Sequence, residues 1–213
     1  VIRIVEELIE KPLRWRKPQM IFVNSMSDLF HEAISDADIG RNWSVMERAD
    51  WHIYQILTKR PERMIEWMNR YNIVARPHIW LGVSAEDQKT FDYRVPFLFK
   101  IKAAIRWVSL EPLLGPITLT SILDDQFGDP GDRHALDWIV VGGESGRHAR
   151  PMEFEWVRAL CDEAVRLGIP FFFKQMGSVL ARRCGYRDKG GDPAQWPADL
   201  RIREYPPNTI KKE

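Results

Sequence analysis

Cysteine is nearly missing from this chain: Cys161 and Cys184 are the only two in 213 residues. Two thiols make neither a disulfide framework nor a zinc ribbon, and they cannot supply the three cysteines of an iron–sulfur motif. Such sparing use of cysteine points to a reducing, cytoplasmic setting. Net charge is scarce too. The 31 Lys and Arg nearly cancel the 30 Asp and Glu, leaving +1, so an anionic partner needs a local basic patch rather than bulk attraction. No apolar run approaches the roughly 20 residues that cross a bilayer, and no secretory signal is visible, which speaks against a membrane role. A P-loop and a GxSxG elbow are absent. The histidines, His31, His52, His78, His134 and His148, show no metal-ligand spacing. An initiator Met is lacking as well: the chain opens Val1-Ile2-Arg3-Ile4-Val5, already in helical register, and reads as the interior of a longer protein.

What is present is a soluble globular composition, 45% hydrophobic with nine Trp placed mostly inside apolar runs. The length suits one domain. An opening helix with Ile2, Val5, Leu8 and Ile9 on one stripe is expected to stop near Pro12. Six short apolar runs then follow: Met20–Val23, His52–Leu57, His78–Val83, Ile105–Leu110, Asp137–Val141 and Ile169–Phe173. Amphipathic segments separate them. Ser35 precedes one as an N-cap with acidic Asp38 three residues on. Pro61 suits the first position of the next, and Pro96 is expected to break a third in two. Cys161 falls on the inward stripe of the last, as a packed thiol, and Gly168 closes that helix. Near-continuous apolar strands alternating with helices predict an α/β fold with a parallel sheet. Either a partial (β/α) barrel of about six βα units, TIM-like, or a doubly wound open sheet fits that pattern. The barrel is favoured, one unit short at the N-terminus, over residues 1–177. Residues 178–213 read as a loop-rich tail packed on it, and residues 115–135, rich in Asp, Gly and Pro, as an insertion or lid.

In both architectures ligands sit beyond the carboxyl ends of the strands. Those ends carry Asn24, Ser25, Ser27 and Asp28; Thr58, Lys59 and Arg60; Ser84 and Glu86; Ser109 and Glu111; Glu144 and Ser145; Lys174 and Gln175. The fifth run opens into Gly142-Gly143-Glu144-Ser145-Gly146, a turn whose glycines let backbone N–H groups face a ligand. Helix capping and the onset of water explain part of this ring. They explain less well Lys59, Lys174, Glu111 and Glu144, where a charge abuts a buried run. Lys59, Lys174, Glu111 and Glu144 are therefore the candidate catalytic groups. Asn24, Ser25, Asp28, Ser84, Glu86, Ser109, Gly142, Gly143, Ser145 and Gln175 are the candidate cofactor-binding groups. No metal ligand is assigned. Arg14, Arg16 and Lys17 around Trp15 form a basic cluster, readable as a solvated face or as a phosphate contact. His148 beside Arg147 and Arg150 is readable as an anion contact or, equally, as part of a solvated loop.

Several stretches together resemble a known family. They are Phe22–Phe30 (FVNSMSDLF), Gln55–Pro61 (QILTKRP), Trp80–Ser84 (WLGVS), Val108–Ile117 (VSLEPLLGPI), Gly142–Gly146 and Phe171–Gln175 (FFFKQ). These are similar to a phage and bacterial family named after phage proteins gp thirty-seven and gp sixty-eight, which has no settled biochemical function. Complete members look like radical S-adenosylmethionine barrels with a cysteine-rich N-terminal segment for a [4Fe–4S] cluster. No cysteine here matches that segment, so the resemblance implies S-adenosylmethionine and the cluster for the complete protein only. By the same analogy Ser84 and Glu86 lie near the ribose, and the Gly-rich turn or the Asn24–Asp28 turn meets the methionine part. The partners expected are a small-molecule or nucleotide ligand and, through phage association and the Arg clusters, nucleic acid. Alternatives from the residues themselves are a non-catalytic nucleotide- or phosphate-binding module without a cluster, and a metal-free hydrolase or lyase using Glu111 and Glu144.

Overall fold

A computed structural model describes residues 4–24, 27–123 and 136–207. Its six strands are β1 (Met20–Val23), β2 (Ile53–Thr58), β3 (Ile79–Ser84), β4 (Arg106–Leu110), β5 (Trp138–Gly142) and β6 (Phe171–Gln175). They form one parallel sheet in the order of the chain, curled into a half-barrel. The sequential order settles the choice between the two architectures. A doubly wound sheet reverses its winding to place helices on both faces, whereas a run of right-handed crossovers without reversal keeps all helices on one side. The helices between strands are α3 (Asp36–Arg48), α4 (Pro61–Arg70), α5 (Gln88–Leu98), the short α6 (Thr120–Leu123) and α7 (Phe154–Leu167). Before β1 come α1 (Glu6–Ile9) and α2 (Lys11–Arg14), and after β6 comes α8 (Ser178–Arg183).

Strand residues alternate between two apolar cores, as a two-residue period requires. Tyr54, Ile56, Leu81, Val83, Val108, Leu110, Ile139, Val141, Phe171 and Phe173 face the helices. They pack there with Ile39, Trp43, Met64, Phe91, Val95, Val157 and Leu160. Their neighbours Ile53, Trp80, Trp107, Trp138 and Val140 face the concave side, where no residue of a described helix joins the cluster. Interlocked indoles close it instead, Trp107 and Trp138 at 5.4 Å and Trp80 and Trp138 at 5.8 Å between ring centroids. Gly82 makes room for them: a Cβ there would lie 2.4 Å from the Trp107 ring.

The local signals behave as their chemistry predicts at several points. Ser35 Oγ accepts from Asp38 N at 3.1 Å and caps α3. Gly168 ends α7 in the left-handed region, φ 68°. Cys161 is buried on the inner stripe of α7. Two expectations are corrected. The opening helix is two single turns, α1 and α2, with Pro12 inside the second rather than ending the first. Val5 and Leu8 are left 38% and 48% exposed, so the described members of the expected stripe do not form one, and Ile2 lies outside the described residues. Pro96 does not break α5. Losing one helical hydrogen bond there is offset by burial of Phe91, Val95 and Leu98, all fully covered.

Of the expected lid, 124–135 lie outside the described residues. The part before them is tied down, Thr118 N donating to Gln88 Oε1 at 2.7 Å and Leu119 N to Glu163 Oε2 at 2.6 Å. Beyond α8, two single 3₁₀ turns (Pro193–Gln195 and Ala198–Leu200) lead to a segment antiparallel to β6. Phe173 N donates to Ile202 O and Glu204 N to Phe171 O, each at 2.9 Å, which pairs the edge of β6. Tyr205 then stacks on Trp138 at 5.5 Å, closing the lower concave face.

Candidate functional site

The carboxyl ends of the strands gather most of the charged groups expected there, and they do so as separate clusters. On the β4–β6 side, Glu111 follows β4 and is held by two neighbours from β6. Lys174 Nζ lies 2.7 Å from Oε2, and Gln175 Nε2 donates to Oε1 at 3.0 Å. Gly142 sits beneath them; a Cβ there would stand 3.2 Å from Glu111 Oε1 and 3.4 Å from Gln175 Cγ. Gln175 also donates to Gly143 O at 3.0 Å, leaving its own Oε1 buried with no partner. Both groups facing the amide nitrogen are acceptors, so the amide has a single sensible orientation.

The Gly-rich turn is organised by a different contact. Glu144 is gripped by Arg150 through its backbone N (2.7 Å), Nε (2.8 Å) and Nη2 (2.8 Å). The Arg150 side chain and then its backbone N–H hold the Glu144 carboxyl down to about 2. Gly143 is required by chain crossing: a Cβ would meet Met176 O at 2.1 Å. Gly177, at φ 79°, is the matching half of that crossing. Ser145 is exposed, while Gly146 N reaches Ser178 Oγ at 3.0 Å and ties the turn to α8.

On the β1–β3 side, Glu86 lies between Lys59 and Arg94, with Arg94 Nη1 at 2.9 Å from Oε2 and 2.8 Å from Ser84 O. Burial alone would raise the Glu86 carboxyl, but the hydrogen bond and charge of Lys59, joined by Arg94, outweigh it and hold the group below its usual value. Asp28 is saturated, accepting from Thr58 Oγ1 (2.8 Å), Lys59 N (3.1 Å), Arg60 Nη1 (3.0 Å) and Phe30 N (2.9 Å). It knots the β1 and β2 ends together. Asn24 takes φ 56° at the end of β1, a conformation Asn tolerates better than most residues. Ser25 lies outside the described residues. Ser84 and Ser109 pair in register on neighbouring strands and are both 3% exposed, below the charged rim.

A family model described as a protein of unknown function, DUF5131, matches residues 1–197. The chain belongs to that family. No curated protein and no solved structure matches it. The DUF5131 match runs past Gly177 through α8 and the first 3₁₀ turn, so that stretch is part of the family's common body. No described helix is long and apolar enough to cross a membrane.

Arg94, nearly two helical turns into α5, reaches the rim without following a strand, so strand ends alone do not reveal it, and the concave face is hidden from them in the same way. Trp107 is buried there with no partner for its Nε1, and Phe22, 40% exposed, meets its ring edge-on at 6.1 Å. The alternation Trp107, Ser109, Glu111 along β4 carried that signal: one face running from aromatic to hydroxyl to carboxylate.

Proposed function

We propose that the strand ends and the polar upper part of the concave face bind a small zwitterionic ligand bearing a nucleoside. S-adenosylmethionine is the compound implied by resemblance to the gp thirty-seven and gp sixty-eight proteins. The observation that carries this reading is the Gln175 amide. A buried oxygen without a donor costs about 1–3 kcal/mol, and a ligand ammonium or amino group removes that cost by donating to it. Lys174 with Glu111, and Lys59 with Glu86, set charges of both signs around it. Lys59 and Lys174 are about half exposed, where an ion pair is worth about 0–1 kcal/mol, so a ligand carboxylate competes readily for either ammonium. Ser84 and Ser109 supply hydroxyls for a ribose.

A [4Fe–4S] cluster does not fit the residues of this chain. Cys161 is buried in α7 and Cys184 caps α8. Among the described residues, no three His, Cys, Asp or Glu gather to hold a metal. S-adenosylmethionine fits better, because the unpaired Gln175 oxygen and flanking Lys–Glu pairs match its ammonium and carboxylate. When bound, it supplies a sulfonium-activated carbon; the residues of this chain bind and orient it. One observation favours the second reading, a non-catalytic nucleotide- or phosphate-binding module: each of Glu86, Glu111 and Glu144 is already engaged by a cation. The hydrolase reading is weakened further, since a carboxyl held near 2 is a poor general base.

Thermal-shift and calorimetric titration with S-adenosylmethionine, S-adenosylhomocysteine and ATP test these readings. At a ligand concentration 100 times Kd the stabilisation expected is about 2.7 kcal/mol. Gln175→Leu and Lys174→Ala should each weaken S-adenosylmethionine binding at least about tenfold, a loss of one ligand hydrogen bond or charge contact, while circular dichroism stays unchanged. Stabilisation by ATP alone, lost in Lys59→Ala but kept in Gln175→Leu, would favour the second reading. No stabilisation by any of the three overturns both.

A further inference from the structure

At the opposite end of the half-barrel, before β1 and β2, lies a surface that the strand-end rim does not use. From the last residue of α2 to β1 the chain runs Arg14-Trp15-Arg16-Lys17-Pro18-Gln19, every residue exposed. Five of them, all but Pro18, line a hollow of about 480 Å³. Arg16 and Lys17 have no acidic partner among the described residues, and Arg14 has only Glu10 at 4.0 Å. Two large aromatics are exposed beside these cations, Trp15 at 42% and Trp51 at 38%, although Trp43, Trp67, Trp80, Trp107, Trp138 and Trp196 are buried.

The arrangement is held from below. Gln19 N donates to His52 Nδ1 at 3.0 Å, so the ring proton sits on Nε2 and is donated to Pro12 O at 2.9 Å. Trp51 Nε1 donates to Trp15 O at 2.8 Å. The buried His52 ring lies between the indoles, 6.0 Å from Trp15 and 5.3 Å from Trp51. The backbone on both sides of the basic segment is thereby pinned to one imidazole, so binding has to order side chains but not the chain that carries them. The acidic groups nearby are Glu10, beside Arg14, and Asp50, which lines an adjoining hollow together with Trp51.

We propose that this surface binds single-stranded nucleic acid, unpaired bases stacking on Trp15 and Trp51 while the phosphates meet Arg14, Arg16 and Lys17. Free cations alone suit any polyanion. Fixed, exposed indoles among them select a polyanion that carries planar faces, and a duplex keeps those faces hidden in its own stack. The site is independent of the proposed ligand rim.

Fluorescence anisotropy of a short labelled single strand tests it, with the duplex of the same sequence, inorganic phosphate and phosphatidylserine vesicles as competitors. Three phosphate contacts predict a slope of log K against log salt of about −2, at roughly −0.7 per phosphate for a single strand. The double variant Arg16→Ala/Lys17→Ala should lower the slope to about −0.7. Trp15→Ala should weaken binding about tenfold, within the range found for loss of one stacked base, and Trp15→Phe should restore most of it. Retained circular dichroism and retained response of the rim to its ligand separate this result from misfolding. No binding, binding that survives the double variant, or competition by duplex or vesicles as strong as by single strand overturns the proposal.

Discussion

The two faces of the sheet solve the same burial problem in different ways. The convex face is largely apolar because α3, α4, α5 and α7 lie along it and share one core with its inward strand residues; its polar Thr58 is buried against Asp28. The concave face has no such cover and changes character along the strands. Its N-terminal half is a bed of indoles closed by Tyr205, and its C-terminal half carries Ser84, Ser109, Glu111, Lys174 and Gln175. Helix packing fixes a face by shape, and any polar group there would be costly. A face left to pack on itself can change polarity within a few residues. Of the buried side-chain atoms without a partner, Trp107 Nε1 and Gln175 Oε1 lie on this second face, and Trp43 Nε1 lies in the helix-covered core. The contrast also reaches the sheet edges: the tail pairs with β6, whereas Phe22 on β1 remains 40% exposed.

The sharpest way to break this comparison is to remove matter from one face and add it to the other. Phe173→Ala empties a fully buried convex site whose ring lies 4.6 Å from Trp196. Loss of about 3–5 kcal/mol in urea unfolding is expected, with the segment around Trp196 becoming protease-sensitive first. Gly82→Ala acts on the concave side, pushing a methyl into the Trp107 indole. A smaller loss of about 1–3 kcal/mol is expected, read with a change in Trp emission because the indole cluster must shift. Equal costs from both substitutions would mean that the concave face is packed as rigidly as the convex one and has no slack for a ligand.

Much of the fold was legible because its determinants are local. Six apolar runs of strand length, Ser35 and Asp38 at a cap, Gly168 past a helix and Cys161 on an inward stripe each express a preference that no distant residue overturns. The exceptions are instructive. Pro96 carries a strong local signal, yet Val95 and Leu98 bury completely on either side and hold the helix through it. Val5 and Leu8 look like an inward stripe, yet the chain turns at Glu10 and leaves both exposed. At the candidate site, membership of the rim was legible because strand ends are local, but partnership was not. Glu144 was expected to act with Glu111, Lys59 and Lys174; its carboxylate is instead bound by Arg150, six residues on. Glu86 finds Arg94 through the phase of α5, and Glu111 finds Gln175 through the register shift between β5 and β6. Curl, helix phase and register are tertiary quantities, which residue spacing along the chain does not express.

The smallest effect tests whether the Gly-rich turn belongs to the framework or to the reactive rim. Glu144 has a folded pKa of about 2 against an ordinary value of 4.5, because Arg150 stabilises the charged form. A carboxyl depressed on folding contributes stability that is fully present above 4.5 and is lost as pH falls from there towards 2. The Arg150 partner is more than half exposed, so solvent screening keeps the contribution below about 1 kcal/mol. Glu144→Gln keeps an acceptor for Arg150 N and removes the charge. The variant should unfold at slightly lower temperature at neutral pH, and the gap to the unsubstituted protein should close as pH drops through that window. Ligand affinity at the rim should not change. A gap independent of pH would mean that Ser178, through Gly146 N and Glu144 O, holds the turn without the ion pair. A large fall in ligand affinity with unchanged unfolding temperature would instead return Glu144 to the rim as a group that meets the ligand.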